Sequence, residues 1–120
     1  MKPFVSVLTA TIPERAHFLT ELVASVAAQT YRSVEHVILV DEEKAGFART
    51  MNRAAREAQG EWLLPFCDDD LMLPGCIQSL VDNCEDADIV YPRPLVWGED
   101  PSQFCQEPPT IPAVVPLLRV

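Results

Sequence analysis

Residues 48–75 read ARTMNRAAREAQGEWLLPFCDDDLMLPG, and they hold a helix, a strand, an acidic turn and the start of a second helix in 28 positions. With Phe47 just ahead of it, the segment places Phe47, Met51, Ala54, Ala55 and Ala58 on one stripe of a helix, with Gly60 as its C′ residue. Trp62 to Phe66 is a short apolar run that stops at Asp68-Asp69-Asp70. Pro74 suits the first turn of a further helix, whose buried face would be Leu73, Cys76, Ile77, Leu80, Val81 and Cys84. Pro65 conflicts with a central strand, because its missing N–H costs a ladder bond; it marks a bulge or an unpaired position.

The same alternation extends in both directions. Toward the N-terminus, Phe4 to Thr9 is β-prone and is followed by a polar turn, Thr11 to Arg15. Leu19, Leu22, Val23, Val26 and Ala27 then recur at helical spacing, Thr30 to Ser33 break the pattern, and Val34 to Val40 is a second apolar strand ending at Asp41-Glu42-Glu43. Toward the C-terminus, Ile89 to Tyr91 makes a fourth strand. Strands alternating with helices at this spacing predict right-handed βαβ units, hence an α/β fold with a mainly parallel sheet and flanking helices. After Tyr91 seven prolines interrupt short apolar pieces. The last piece, Ile111 to Val120, is apolar enough to need burial, as a late strand of the sheet or against a second subunit in a homo-oligomer.

Composition narrows the function classes. The 120 residues, 48% of them hydrophobic, suit one domain with a real core. The net charge of −9 lies entirely in residues 61–120, which hold two Lys/Arg against eleven Asp/Glu, while residues 1–60 hold seven of each. An acidic half is the wrong surface for a nucleic-acid phosphate track and suits a cation site or a solvated acidic face. No apolar run is long enough for a membrane span, and the first residues lack the pattern of a signal peptide, so a cytoplasmic location is expected. Cys67, Cys76, Cys84 and Cys105 form no CxxC pair and read as small hydrophobes in a reducing context.

Open α/β sheets bind ligands at the carboxyl ends of their strands, which here selects Thr9 to Arg15, Asp41 to Glu43, and Cys67 to Asp70. Three adjacent aspartates repel and raise one another's pKa. A hard divalent cation, Mn²⁺ or Mg²⁺, would relieve them; so would a solvated loop capping the helix near Pro74. Asp41 has two readings as well, a ribose or base contact or a residue sitting in a turn. Arg49, Asn52, Arg53 and Arg56 lie along one side of the second helix, with Arg49 and Asn52 nearest the rim. His17 and His36 have no triad or metal partner at a telling spacing and read as structural. There is no GxGxxG, GxxxxGK[ST] or GxSxG motif.

From about Phe4 to Arg93 the chain resembles the family 2 glycosyltransferases of GT-A fold. The stretches that carry the resemblance are VSVLTATIPERAHFL, SVAAQTYRSVEHVILVDEE, ARTMNRAAREAQGEWLLPFCDDDLMLPG and ADIVYPR. The resemblance implies transfer of a sugar, with inversion, from a nucleotide-diphosphate donor (UDP-sugar favoured) to an acceptor. It implies that Thr11 and Arg15 meet the nucleotide and that Asp41 contacts base or ribose. Asn52 matches an asparagine on the helix before the acidic motif, and Asp68, Asp69 and Asp70 match the metal-binding motif, with Asp69 as the direct ligand. Residues 1–93 would form the donor-binding part of a single domain spanning 1–120, and 94–120 the loop-rich start of the acceptor part.

Three departures qualify it. Cys67 stands where the family often has its first aspartate, and a helix and strand are missing after Glu43. The family's general base lies well downstream, which leaves Glu99, Asp100 and Glu107 as the acidic candidates, the first two in a turn after Gly98. A non-catalytic nucleotide-sugar-binding or assembly module is therefore the alternative function. A receiver-like or phosphatase-like domain with Asp41 or Asp68 as phosphoacceptor lacks a suitable strand-end lysine or hydroxyl.

Overall fold

A computed structural model describes residues 2–92 and the backbone of strand 117–119. Its five-stranded sheet has β1 (Val5–Thr11) at the centre of the parallel part, between β2 (Val34–Val40) and β3 (Trp62–Pro65). Both neighbours run parallel to β1, in registers that set Val5 against Val34 and against Trp62. Beyond β3 lie β5 (Leu117–Arg119) and then β4 (Ile89–Val90), with β5 antiparallel to both, giving the order β2-β1-β3-β5-β4. The described part of the apolar tail, Leu117–Arg119, is thus a strand of the sheet.

All seven residues of β1 are buried, which explains why this strand reads as a continuous apolar and hydroxyl run rather than an alternating one. Val5 and Val7 join Leu22 and Val26 of α1 (Leu19–Ala27), Ile77 and Leu80 of α3 (Cys76–Asp82), and Trp62 and Leu64 in one cluster. Ser6 and Leu8, the alternate positions, fall on the other face. That face carries α2 (Phe47–Glu57), which packs on β1 and β2 and buries Thr50 and Ala54. Full burial of each large apolar side chain contributes about 1.5–3 kcal/mol.

Pro65 is accommodated by where the pairing ends. Phe66 donates its N–H to Leu8 O on the β1 side at 2.8 Å, so the nitrogen of Pro65 faces the β5 side. The described pairing with β5 covers only Trp62 and Leu63, and no ladder bond is asked of Pro65.

Several expectations need correction. The apolar stripes are narrower than their spacing predicts: Phe47 is 63%, Leu73 61% and Val23 41% exposed. Leu73 precedes α3 instead of belonging to it, and Phe47 opens α2 beyond the strand ends. β1 runs on to Thr11, and the expected polar turn becomes a 3-10 helix, Pro13–Phe18, started by a proline whose missing N–H would have had no partner there. Gly60 is not a left-handed C′ residue, for α2 ends at Ala58 in an extended conformation and Gly46 is the positive-φ glycine among the described residues. Gly60 is required instead by its approach to β1. Its N–H donates to Ser6 Oγ at 2.8 Å, and the Ser6 hydroxyl donates to Glu35 Oε1 at 2.5 Å.

His36 lies on β2 with Nε2 2.8 Å from Thr9 Oγ1, and burial lowers its pKa to about 4. The unfolded chain takes up this proton near pH 6.5, whereas the folded chain resists it until about pH 4. Stability is therefore full above pH 6.5 and declines as pH falls toward 4, by about 2 kcal/mol once partial solvation of the ring is discounted. Urea unfolding across that window should show the decline in the wild type and a flatter profile in His36→Gln; parallel profiles would refute the assignment.

Candidate functional site

The carboxyl ends of β1, β2 and β3 meet at one rim, and hydrogen bonds hold them in register there. Asp41 N–H donates to Thr11 O at 2.8 Å, joining the ends of β2 and β1. The loop after β3 is held from the opposite side by Gln29, which is 2% exposed. Its Nε2 donates to Leu73 O at 2.8 Å, its Oε1 accepts from Ile77 N–H at 3.1 Å, and Thr30 N–H donates to Pro74 O at 2.9 Å. The buried Tyr31 hydroxyl donates to Pro3 O. The AQTY segment is thus a clamp on the acidic loop and on the start of β1.

Asp68 is buried and fully engaged. Its Oδ2 accepts from Thr11 Oγ1 at 2.7 Å and from Arg15 Nε at 3.0 Å, and its Oδ1 accepts from Arg15 Nη2 at 2.9 Å. The Arg15 guanidinium, and secondarily the Thr11 hydroxyl, hold the Asp68 carboxyl below the usual carboxylate range. Arg15 also reaches Asp69 Oδ2 at 3.0 Å and lies over the Phe18 ring, 4.9 Å from its centroid. The bonds to Asp68 in turn raise the Arg15 pKa. Asp70 differs: it is exposed as a residue, but partial desolvation of its carboxyl, and then the charge of Asp69, push it up. Burial and the three aspartates also raise the Cys67 thiol, which keeps it protonated at neutral pH. Much of the compensation that three adjacent carboxylates demand therefore comes from within the chain, through Arg15. Among the described residues no three His, Cys, Asp or Glu side chains gather as a metal cluster.

Asp41 organises the entry to α2. Its Oδ1 accepts from Ala45 N–H and its Oδ2 from Gly46 N–H, both at 2.8 Å, and these two bonds, that from Gly46 first, lower its pKa. Gly46, at φ 102°, turns the chain into the helix through a conformation that side chains avoid, and Thr50 Oγ1 donates back to Gly46 O at 2.8 Å.

Two adjoining clefts open on this rim. One, of about 250 Å³, is lined by Thr11, Arg15, Asp41, Asp68 and Asp69, together with Ile12, Phe47 and Thr50. The other, of about 560 Å³, holds Arg49 and Asn52 with Arg53 and Arg56, and shares Asp41 and Thr50 with the first. The sequence-predicted residues are therefore brought to one place, except that Asp70 lines neither cleft and that Glu99 and Asp100 lie outside the described residues. Ile12, Gly46 and Phe47 were not singled out by the sequence as site residues: Ile12 lay within the selected segment Thr9 to Arg15, and Phe47 read as part of a buried stripe. The signal for the last two was a glycine followed by an aromatic where the second helix begins.

The sequence model of the family described as Glycosyl transferase family 2 matches residues 36–107, more than half of the chain. No curated protein matches the chain. Among solved structures it is similar to the mannosyltransferase PcManGT from Pyrobaculum calidifontis in complex with GDP-Man and Mn²⁺, at 20% identity and a TM-score of 0.68, covering 75% of this chain and 35% of that one. It is also similar to S. aureus TarS 1-349, at 21% identity and a TM-score of 0.66, covering 72% of this chain and 34% of that one. These likenesses show the GT-A fold, and the chain spans about a third of the length of either structure. Among the described residues no helix is long and apolar enough to cross a membrane.

Proposed function

The chain belongs to glycosyl transferase family 2, and on that premise we propose that its 250 Å³ cleft binds the nucleotide-diphospho-sugar donor, UDP-sugar favoured, of an inverting, metal-assisted sugar transfer. One observation carries the reading: Thr11, Arg15, Asp41, Asp68 and Asp69, spread over 59 residues of sequence, line a single cleft at the carboxyl ends of parallel strands. Such strand ends are where open α/β sheets take their ligands. In this reading residues 1–93 form the donor half and 94–120 begin the acceptor half, in a cytoplasmic protein.

The donor set fits a divalent cation in a restricted sense. The candidate ligands are carboxylate oxygens, suited to Mn²⁺ or Mg²⁺. Asp68 is occupied by Arg15 and Thr11, while Asp69 and Asp70 are exposed. Asp69, with Asp70 beside it, would hold the ion. A bound cation supplies charge neutralisation at the departing nucleotide diphosphate. The chain's own residues do the positioning. Asp68 orients Arg15 beside the diphosphate end, and Arg49 and Asn52 extend the polar wall beyond Asp41. The proton of the acceptor hydroxyl requires a carboxylate, for which Glu99 and Asp100 are the candidates of this chain.

Calorimetric titration with UDP tests the proposal. Binding is expected to require Mn²⁺ or Mg²⁺ and to weaken at least about tenfold in Asp69→Asn, the loss of one charge-assisted ligand. Binding indifferent to both metal and substitution would remove the donor reading. Release of UDP from a UDP-sugar would separate transfer from binding alone, and Glu99→Gln and Asp100→Asn would then locate the base.

A further inference from the structure

Phe47 is the most exposed large hydrophobic residue among those described, at 63%, although it opens a helix that buries Ala54 and half-buries Met51 and Ala55. Its position is tightly specified. The turn before it is closed on the Asp41 carboxylate by two 2.8 Å bonds from Ala45 and Gly46, and Gly46 holds a left-handed φ of 102°. Phe47 and Ile12, the latter 38% exposed, line the cleft together with the charged group of Arg15, Asp68 and Asp69. The lining therefore combines apolar surface with a charged group, the two chemistries that a ligand with a flat π-face and a diphosphate would meet. Each Asp41 oxygen already accepts a backbone N–H, which makes that carboxylate a structural element of the turn.

We propose that Phe47 is the stacking platform for the nucleobase of the donor and that Asp41 is a positioning residue that sets Phe47 at the cleft. This rests on the donor reading above and deepens it. An aromatic face binds any base, since every base has a π-face, so Phe47 supplies affinity for the nucleoside without selecting among bases.

The test compares UDP with inorganic pyrophosphate, each titrated with Mn²⁺ into the intact chain. Phe47→Ala is expected to weaken UDP about tenfold and leave pyrophosphate unchanged, while Phe47→Tyr keeps both. Asp41→Ala should speed hydrogen exchange at the Ala45 and Gly46 amides and weaken UDP, and the double variant should be no weaker than Phe47→Ala alone. Unchanged UDP affinity in Phe47→Ala overturns the stacking proposal and leaves the donor reading standing. Equal loss of UDP and pyrophosphate overturns it too, because truncation would then have acted on the whole cleft. A wild-type chain that binds neither probe overturns the donor reading along with it.

Discussion

Asp68→Ala is expected to lower the unfolding free energy at pH 7 by about 3 kcal/mol and to abolish detectable UDP binding. The carboxylate is almost fully buried and accepts three hydrogen bonds, two of them from one guanidinium. Truncation leaves the Thr11 hydroxyl, on a residue only 4% exposed, with a long 3.4 Å bond to Ile12 O, and it leaves Arg15 with Asp69 alone. The penalty stays at the lower end for a broken buried pair, because the Arg15 side chain is 41% exposed and water can reach it. The effect should also depend on pH. Asp68 has a folded-state pKa below its unfolded value, so its contribution is complete above about pH 4 and is lost as pH falls further, through the folded pKa. Wild type and variant should then converge in stability in acid. Equal urea midpoints at pH 7 would show that Asp68 does not hold the rim together.

Gly60→Ala should destabilise the fold by a similar amount, about 3 kcal/mol, at a distance from the rim. A Cβ there would sit 2.6 Å from Ser6 Oγ, 2.7 Å from Ser6 N and 2.8 Å from Phe4 O. Two of these three atoms are backbone, and Phe4 O already accepts from Glu61 N–H at 2.8 Å, so neither can retreat without moving β1. The same displacement breaks the bond from Gly60 N–H to Ser6 Oγ and disturbs Glu35, which also accepts from Gln59 N–H at 2.6 Å. Gly75→Ala is the control. Nothing lies within 4 Å of its Cβ position, and a change within about 0.5 kcal/mol is expected. Thermal melts in which the two alanine variants behaved alike would refute the close-approach explanation.

The elements with strong periodicity were legible from the chain alone. The parallel strands, the three helices and their order follow from apolar runs and helical stripes at Leu22, Val26, Ala54, Ile77 and Leu80, all buried as expected. The three rim segments were legible too, through the rule that polar turns after apolar strands lie at one edge of a parallel sheet. Phe47 and Leu73 broke the pattern because periodicity reports which residues could share a face. How far a helix extends over the sheet depends on the other elements. Gly60 was read through its most frequent role, and its actual reason lies 54 residues away at Ser6.

By itself the sequence determined the α/β alternation and the gathering of Thr11, Asp41 and the aspartate triplet at one edge, because backbone hydrogen bonding and apolar burial act through local spacing. Only the tertiary structure decided how each carboxylate is used: Asp68 is neutralised by Arg15, 53 residues earlier, Asp41 closes the turn that sets Phe47 in place, and Asp69 and Asp70 stay exposed. A charge is satisfied by whatever lies within about 3–4 Å of it, and distances of that kind between remote residues exist only once the chain has folded.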